Sequence, residues 1–139
     1  MARTAEEADS QLIALALPST PESVPVARWH VRHALDSHGL GEYAVDAEII
    51  TSELVTNAVQ HVCDSGTKTI RVTLTHAGNP AAVTVVVWDS SPHGPVRCGT
   101  PAGSEQGRGL QIVEALSAHW GWRREDGGKA VFAVLVGEV

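Results

Sequence analysis

The segment SELVTNAVQH, residues 52–61, carries the side chains of this sequence that are best suited to chemistry. Glu53 and Asn57 are four positions apart, so on a helix their side chains leave one face within about 5–6 Å of each other. An amide oxygen there can ligate a hard cation such as Mg²⁺, and a carboxylate beside it can order or deprotonate a nucleophile. The same spacing is common on solvated helix surfaces, so this pair alone does not decide between the two interpretations.

Two further features add to the case for a binding site. Asp89 follows the apolar run VTVVVW at a strand end, where a carboxylate either shapes a turn or accepts a hydrogen bond from the exocyclic amine of adenine. The segment GRGL, residues 107–110, opens a predicted helix. Its glycines permit close backbone approach, and free N–H groups at a helix start favour phosphate, although any loop-to-helix junction can look the same.

The periodicity of apolar residues predicts the elements that hold these side chains. Helical spacing predicts three helices, at about 23–38 with Gly39 as the C-cap, at about 45–62, and at 107–120. Alternating or continuous apolar runs predict strands at 11–18, 68–77 and 81–89, and two more within 121–139.

The connections between these elements indicate how they assemble. The second and third strands pair naturally as a hairpin, and residues 126–128 make a good tight turn between the last two. Residues 90–106 read as loop, and loops of that length in a compact domain are commonly functional. We therefore predict an α+β fold, a two-layer sandwich with helices on one face of a mixed, mainly antiparallel sheet.

Size and charge limit the possible functions. The chain has 139 residues, of which 43% are hydrophobic, and this is enough to fill one core. We predict a flexible tail at residues 1–10 and a single domain at residues 11–139. The formal charge of −6 argues against binding a nucleic-acid backbone and is compatible with a basic protein partner.

Cysteine usage and hydropathy indicate the compartment. Cys63 and Cys98 are too few for a disulfide-stapled scaffold, so we expect reduced thiols. The polar start MARTAEEADS does not look like a signal peptide, and the apolar run LIALAL is too short to span a membrane. We expect a cytoplasmic protein without membrane attachment.

Three segments, taken in order, resemble the motifs of a known superfamily. ELVTNAVQH is similar to the N box, VVVWD to the start of the G1 box, and GRGLQIVEALS to the G2 box of the GHKL ATPases, which have the Bergerat fold. This superfamily includes gyrase, chaperone, histidine-kinase and mismatch-repair ATPases. The resemblance covers nearly the whole chain and is closest to the small stand-alone anti-sigma-factor serine/threonine kinases. It implies a two-layer α/β sandwich that binds ATP and Mg²⁺.

The resemblance implies a role for each matching residue. Glu53 would be the general base, Asn57 would hold Mg²⁺, and Asp89 would read adenine. The other residues bordering the nucleotide would be Gly94, Gly107, Arg108, Gly109 and Leu110.

Three positions depart from the superfamily pattern. Ser91 and His93 stand where glycines are usual after the G1 aspartate, which leaves Gly94 as the nearby glycine. Ala130 stands where the superfamily often has a hydroxyl residue that supports the aspartate.

Two functions from different classes follow from the resemblance. The first is a protein serine/threonine kinase that phosphorylates a small anti-sigma-factor antagonist and otherwise sequesters a sigma factor. The second is a nucleotide-gated binding module that holds partners without transferring phosphate. The departures favour the second and the intact Glu53 favours the first, while homodimerisation is an expectation from resemblance only.

Overall fold

A computed structural model of the chain describes residues 9–60, 69–78, 81–91 and 105–137. The α-helices in these ranges are α1 (Ser23–Ser37), α2 (Ala44–Gln60) and α3 (Glu105–Leu116), with a 3₁₀ helix at Gly41–Tyr43. The strands are β1 (Asp9–Pro18), β2 (Thr69–Gly78), β3 (Ala81–Asp89), β4 (His119–Glu125) and β5 (Gly128–Val136). None of the helices described is long and apolar enough to cross a bilayer.

The five strands form one sheet in the order β1-β2-β3-β5-β4, and each neighbouring pair is antiparallel. The β2–β3 and β4–β5 hairpins are joined to each other by the pairing of β3 with β5. The predicted turn between the last two strands is confirmed, because Asp126 and Gly127 both have positive φ angles, 52° and 79°. Two-residue hairpin loops favour this left-handed backbone because it matches the strand twist.

One face of the sheet is covered by the helices, as the alternation of apolar residues predicts. The sheet contributes Ile70, Val72, Leu74, Val83, Val85, Val87, Val131, Ala133 and Leu135 to the core. The helices contribute Ala27, Val31, Leu35, Ala47, Ile50, Leu54, Val55, Ala58 and Val113, among others. The predicted two-layer α+β sandwich is therefore confirmed.

The observed ends of α1 and α3 can be compared with the ends predicted from the sequence. The C-cap of α1 is His38, one residue before the predicted Gly39. Gly39 ends the helix with φ of 72°, and the Leu40 N–H donates to the Leu35 carbonyl at 2.8 Å. The third helix differs from its prediction: it begins at Glu105, not Gly107, and ends at Leu116. Of the residues assigned to its end, Ser117 and Ala118 form a bend, and His119 and Trp120 start β4, where Trp120 packs against the core.

The single tyrosine of the chain, Tyr43, is buried where the 3₁₀ helix leads into α2. Its hydroxyl has no hydrogen-bond partner among the described residues. Desolvation, followed by the negative charge of Glu42, raises the pKa of the Tyr43 phenol above its ordinary value of 10.0. The fold therefore favours the neutral phenol.

Replacing Tyr43 with Phe is expected to leave stability at neutral pH unchanged or increased by up to about 1 kcal/mol, since an unpaired buried hydroxyl is removed. The pKa of the Tyr43 phenol is higher in the folded protein than in the unfolded chain. Its contribution to the free energy of unfolding is therefore complete below the unfolded-state pKa, and it is lost as pH rises through the folded-state pKa. Urea unfolding at about pH 7 and about pH 11 should show a smaller alkaline loss in Tyr43→Phe than in wild type. Equal losses would contradict the desolvated phenol.

Candidate functional site

Helix α2 carries core residues on one side and the predicted site residues beside them. Leu54 and Ala58 are buried against the sheet, whereas Glu53 is half-buried. Asn57 is only 6% exposed, and its Oδ1 has no hydrogen-bond partner in the part of the chain that the structure describes. A buried amide oxygen without a donor is uncommon because it loses its hydration, so this atom is suited to an added ligand.

The start of α3 lies directly against the carboxylate of Glu53. A Cβ built on Gly109 would lie 2.6 Å from Glu53 Oε1, so the glycine allows a contact that a side chain at this position would displace. Gly109 lies one turn after the start of α3, so Glu53 is close to the positive end of that helix dipole, which favours negative charge. The structure thus brings together two predicted site residues from different helices.

The later start of the third helix at Glu105 changes which backbone amides are free. Only the first four N–H groups of an α-helix lack an intrahelical acceptor. Gly107 and Arg108 lie within that first turn, whereas Gly109 and half-buried Leu110 lie beyond it. The predicted phosphate contacts through free amides therefore apply to Gly107 and Arg108. Gly94 and His93 lie outside the described residues, as do Cys63 and Cys98.

The carboxylate of Asp89 is buried at the end of β3 and held by an ion pair. Lys129 Nζ lies 3.0 Å from Asp89 Oδ1 and 2.8 Å from Oδ2, and both side chains are 1% exposed. The backbone N–H of Ser91 donates to Oδ1 at 2.8 Å. Ser91 therefore contributes to the site through its main chain, in the form of a short Asp turn.

The register of β3 and β5 corrects the interpretation of Ala130. Ala130 lies across from Trp88, whereas Lys129 lies across from Asp89. Successive strand residues point to opposite faces, so Ala130 is on the face away from the helices and does not contact the Asp89 carboxylate. Position 129 supports the aspartate, and a lysine occupies it.

Lys129 is the residue that the sequence analysis missed. The alternation of the strand already places Lys129 on the core-facing side, because it is two positions before Val131 and four before Ala133, which both face the core. A lysine on the buried phase of a strand is rare unless it is paired. The identity of the paired strand was not visible, and so the partner carboxylate was not predicted.

Gly128 allows the strand carrying Lys129 to approach Asp89 closely. A Cβ at position 128 would overlap the carbonyl oxygen of Asp89 and lie 2.7 Å from the Cα of Ser90. Both are backbone atoms, which cannot move aside without shifting the strands. Gly128 thus maintains the distance at which the ion pair forms.

A cavity of about 660 Å³ lies at the other end of the helices. It is lined by Glu42, Tyr43, Asp46, residues 116–118 and residues 135–137. None of the predicted site residues lines this cavity. Glu53 and Asn57 lie further along α2, and Asp89 pairs with the opposite end of β5.

Comparison with known families assigns the architecture. The sequence pattern of the histidine kinase-like ATPase domain matches residues 17–135, which is most of the chain. A search of curated proteins gave no significant match. The matched range contains the described site residues Glu53, Asn57, Asp89 and Lys129.

Alanine substitutions at Gly128 and Gly109 form a matched pair of tests of this packing. Gly128→Ala is expected to lower the free energy of unfolding by about 1–3 kcal/mol, since its Cβ meets backbone. Gly109→Ala meets only the end of a flexible side chain and gains helix propensity, so stability should be unchanged or rise by up to about 1 kcal/mol. The free energies of unfolding of both variants are measured by urea unfolding. An equal loss of stability in the two would contradict the conclusion that the two glycines have different contacts.

Proposed function

The chain belongs to the histidine kinase-like ATPase family, and from this premise we propose that it is an ATP-dependent protein serine/threonine kinase of the anti-sigma-factor type. It phosphorylates a small antagonist protein and otherwise sequesters a sigma factor in the cytoplasm. The observation that carries the proposal is the buried amide oxygen of Asn57, which has no hydrogen-bond partner among the described residues and lies one helical turn beyond Glu53. The family indicates ATP binding, and the proposal assigns the phosphate end of the nucleotide to these two residues.

The donor set at Asn57 fits Mg²⁺. An amide oxygen is a hard ligand of the kind that Mg²⁺ accepts, and Mg²⁺ usually binds through one or two protein oxygens together with substrate phosphates and water. The Oδ1 of Asn57, which lacks a donor in the described ranges, supplies one such oxygen. Bound there, the ion would neutralise charge on the ATP phosphates. The first turn of α3 adds the amides of Gly107 and Arg108, which favour an anion through hydrogen bonding and the helix dipole.

Glu53 is suited to act as the base. Its carboxylate is half-buried and has no ion-pair partner among the described residues. In the transfer, the substrate hydroxyl oxygen forms a bond to the γ-phosphorus, the bond to the departing ADP oxygen breaks, and the hydroxyl proton passes to Glu53. Catalysis of this kind depends mainly on positioning and charge stabilisation, with the base adding proton transfer.

The proposed partners rest on the resemblance to the small stand-alone kinases. The net charge of −6 is compatible with a partner that has a basic docking surface. The alternative is a nucleotide-gated module that does not transfer phosphate. Two of the departures that favoured it have less weight in the structure, because Ser91 contributes its backbone N–H and Ala130 does not face Asp89.

Nucleotide binding is expected to depend on Mg²⁺ and Asn57. ATP should raise the melting temperature when Mg²⁺ is present, because a ligand that binds only the native state stabilises it by mass action. Asn57→Ala should remove most of that shift without lowering the stability of the free protein, since the lost oxygen has no partner among the described residues. Glu48→Ala, on the same helix, is the control and should keep the shift. A wild-type protein unaffected by millimolar ATP with Mg²⁺ would refute the assignment.

Phosphoryl transfer is expected to depend on Glu53. Glu53→Ala should bind Mg²⁺ and ATP but transfer phosphate about 10²–10⁴-fold more slowly, the usual contribution of a positioned base. The assay follows label from γ-labelled ATP to the small protein that co-purifies with the chain, with Glu48→Ala in parallel.

Two results would contradict this prediction, and each leads to a different conclusion about the function. Transfer that is unchanged in Glu53→Ala would remove the general-base role but leave a kinase. Absence of transfer by the wild type to a confirmed partner would establish the binding-module alternative.

A further inference from the structure

The Asp89–Lys129 pair is more than a packing contact. Both side chains are 1% exposed, and lysine is almost never buried to this extent unless it is paired. Removing two charges from water is costly, and well-packed apolar side chains often stabilise a core as well as a buried ion pair does. Stability alone therefore does not explain an ion pair at the point where the aspartate is proposed to meet the base.

Hydrogen-bond accounting shows what the pair still offers to a ligand. A carboxylate has about four acceptor positions, and an ammonium has three protons. Lys129 and the Ser91 N–H occupy three acceptor positions of Asp89, and Lys129 uses two of its protons on the two oxygens. As far as the described residues go, one acceptor position on Oδ2 and one Lys129 proton remain unused, on two groups whose heavy atoms are 2.8 Å apart.

We propose that Lys129 is a second base-reading residue, which donates a hydrogen bond to a ring nitrogen of adenine while Asp89 accepts one from the 6-amino group. This inference rests on the proposed ATP-binding function and adds to it the residue that reads the purine ring. The 6-amino group of adenine is flanked by acceptors on both sides, N1 and N7. A donor beside the carboxylate therefore meets an acceptor on either side.

Guanine does not match the same arrangement. Its 6-oxo group would place an acceptor against the Asp89 carboxylate on either side. If Lys129 meets N1, the guanine N1 proton would also face the ammonium, so guanine is rejected at two contacts. If Lys129 meets N7, which is an acceptor in both purines, the Asp89 contact alone rejects guanine. Unpaired polar groups of this kind are what make such sites discriminate strongly.

The test measures affinities of the full chain, with Mg²⁺, for ATP, 1-deaza-ATP and 7-deaza-ATP by titration calorimetry. Each analogue replaces one ring nitrogen with a C–H group and keeps the 6-amino group. One of the two should bind wild type about ten- to a hundredfold more weakly than ATP, the usual effect of a lost hydrogen bond to a charged group. The affected analogue identifies the nitrogen that Lys129 contacts.

Variants at position 129 assign the effect to the lysine. In Lys129→Met the affected analogue and ATP should bind within about threefold of each other, because no donor remains. Lys129→Gln keeps a neutral donor and should restore part of the difference. Arg123→Met removes an exposed cation from β4 and should behave as wild type.

Each outcome decides the inference. If both analogues bind wild type as ATP does, and ATP binding still requires Mg²⁺ and Asn57, Lys129 does not read the base while the proposed function stands. If no nucleotide binds, the proposed function fails and this inference fails with it. If Lys129→Met does not fold, Lys129→Gln decides: a smaller difference between ATP and the affected analogue than in wild type supports the contact, and an unchanged difference overturns it.

Discussion

The antiparallel pairing of β3 with β5 is the contact on which the rest of the structure depends. It joins the two hairpins into one sheet and thereby provides a continuous surface for the helices. Its register also places Lys129 across from Asp89. A slip of one residue would turn every side chain of β5 to the other face, so the same pairing sets both the core and the contact between Lys129 and Asp89. Gly128 makes the close approach sterically possible.

Helix α2 combines two requirements that conflict. Its apolar residues must fill the core, but Asn57 lies among them with a carbonyl oxygen that finds no donor among the described residues. An unsatisfied buried polar atom costs about 1–3 kcal/mol, which the packing of residues such as Leu54 and Ala58 must offset. Local rules are commonly broken in this way at functional sites, where a ligand completes the hydrogen bonding.

Two carboxylates of the site differ in environment and therefore in chemistry. Asp89 is fully buried and bonded to an ammonium, which suits a fixed acceptor. Glu53 is half-buried beside Gly109 and has no ion-pair partner in the described ranges, which suits a group that must accept and release a proton. Environments that separate the behaviour of two carboxylates are a general way in which one site obtains two roles.

Local pattern by itself determined the secondary structure and the spacing of single motifs. The alternation at Ile70, Val72 and Leu74 predicted a half-buried strand, and the four-residue spacing of Glu53 and Asn57 predicted one helix face, because periodicity is a property of neighbouring residues. The start of α3 was placed two residues late because its first turn is polar and carries no apolar signal. Only the tertiary structure decided that Lys129, 40 positions from Asp89, would hold that carboxylate, and that Gly109 would lie against Glu53. Such contacts depend on which strands and helices become neighbours, and that is set by the packing of the whole core and not by any local stretch of sequence.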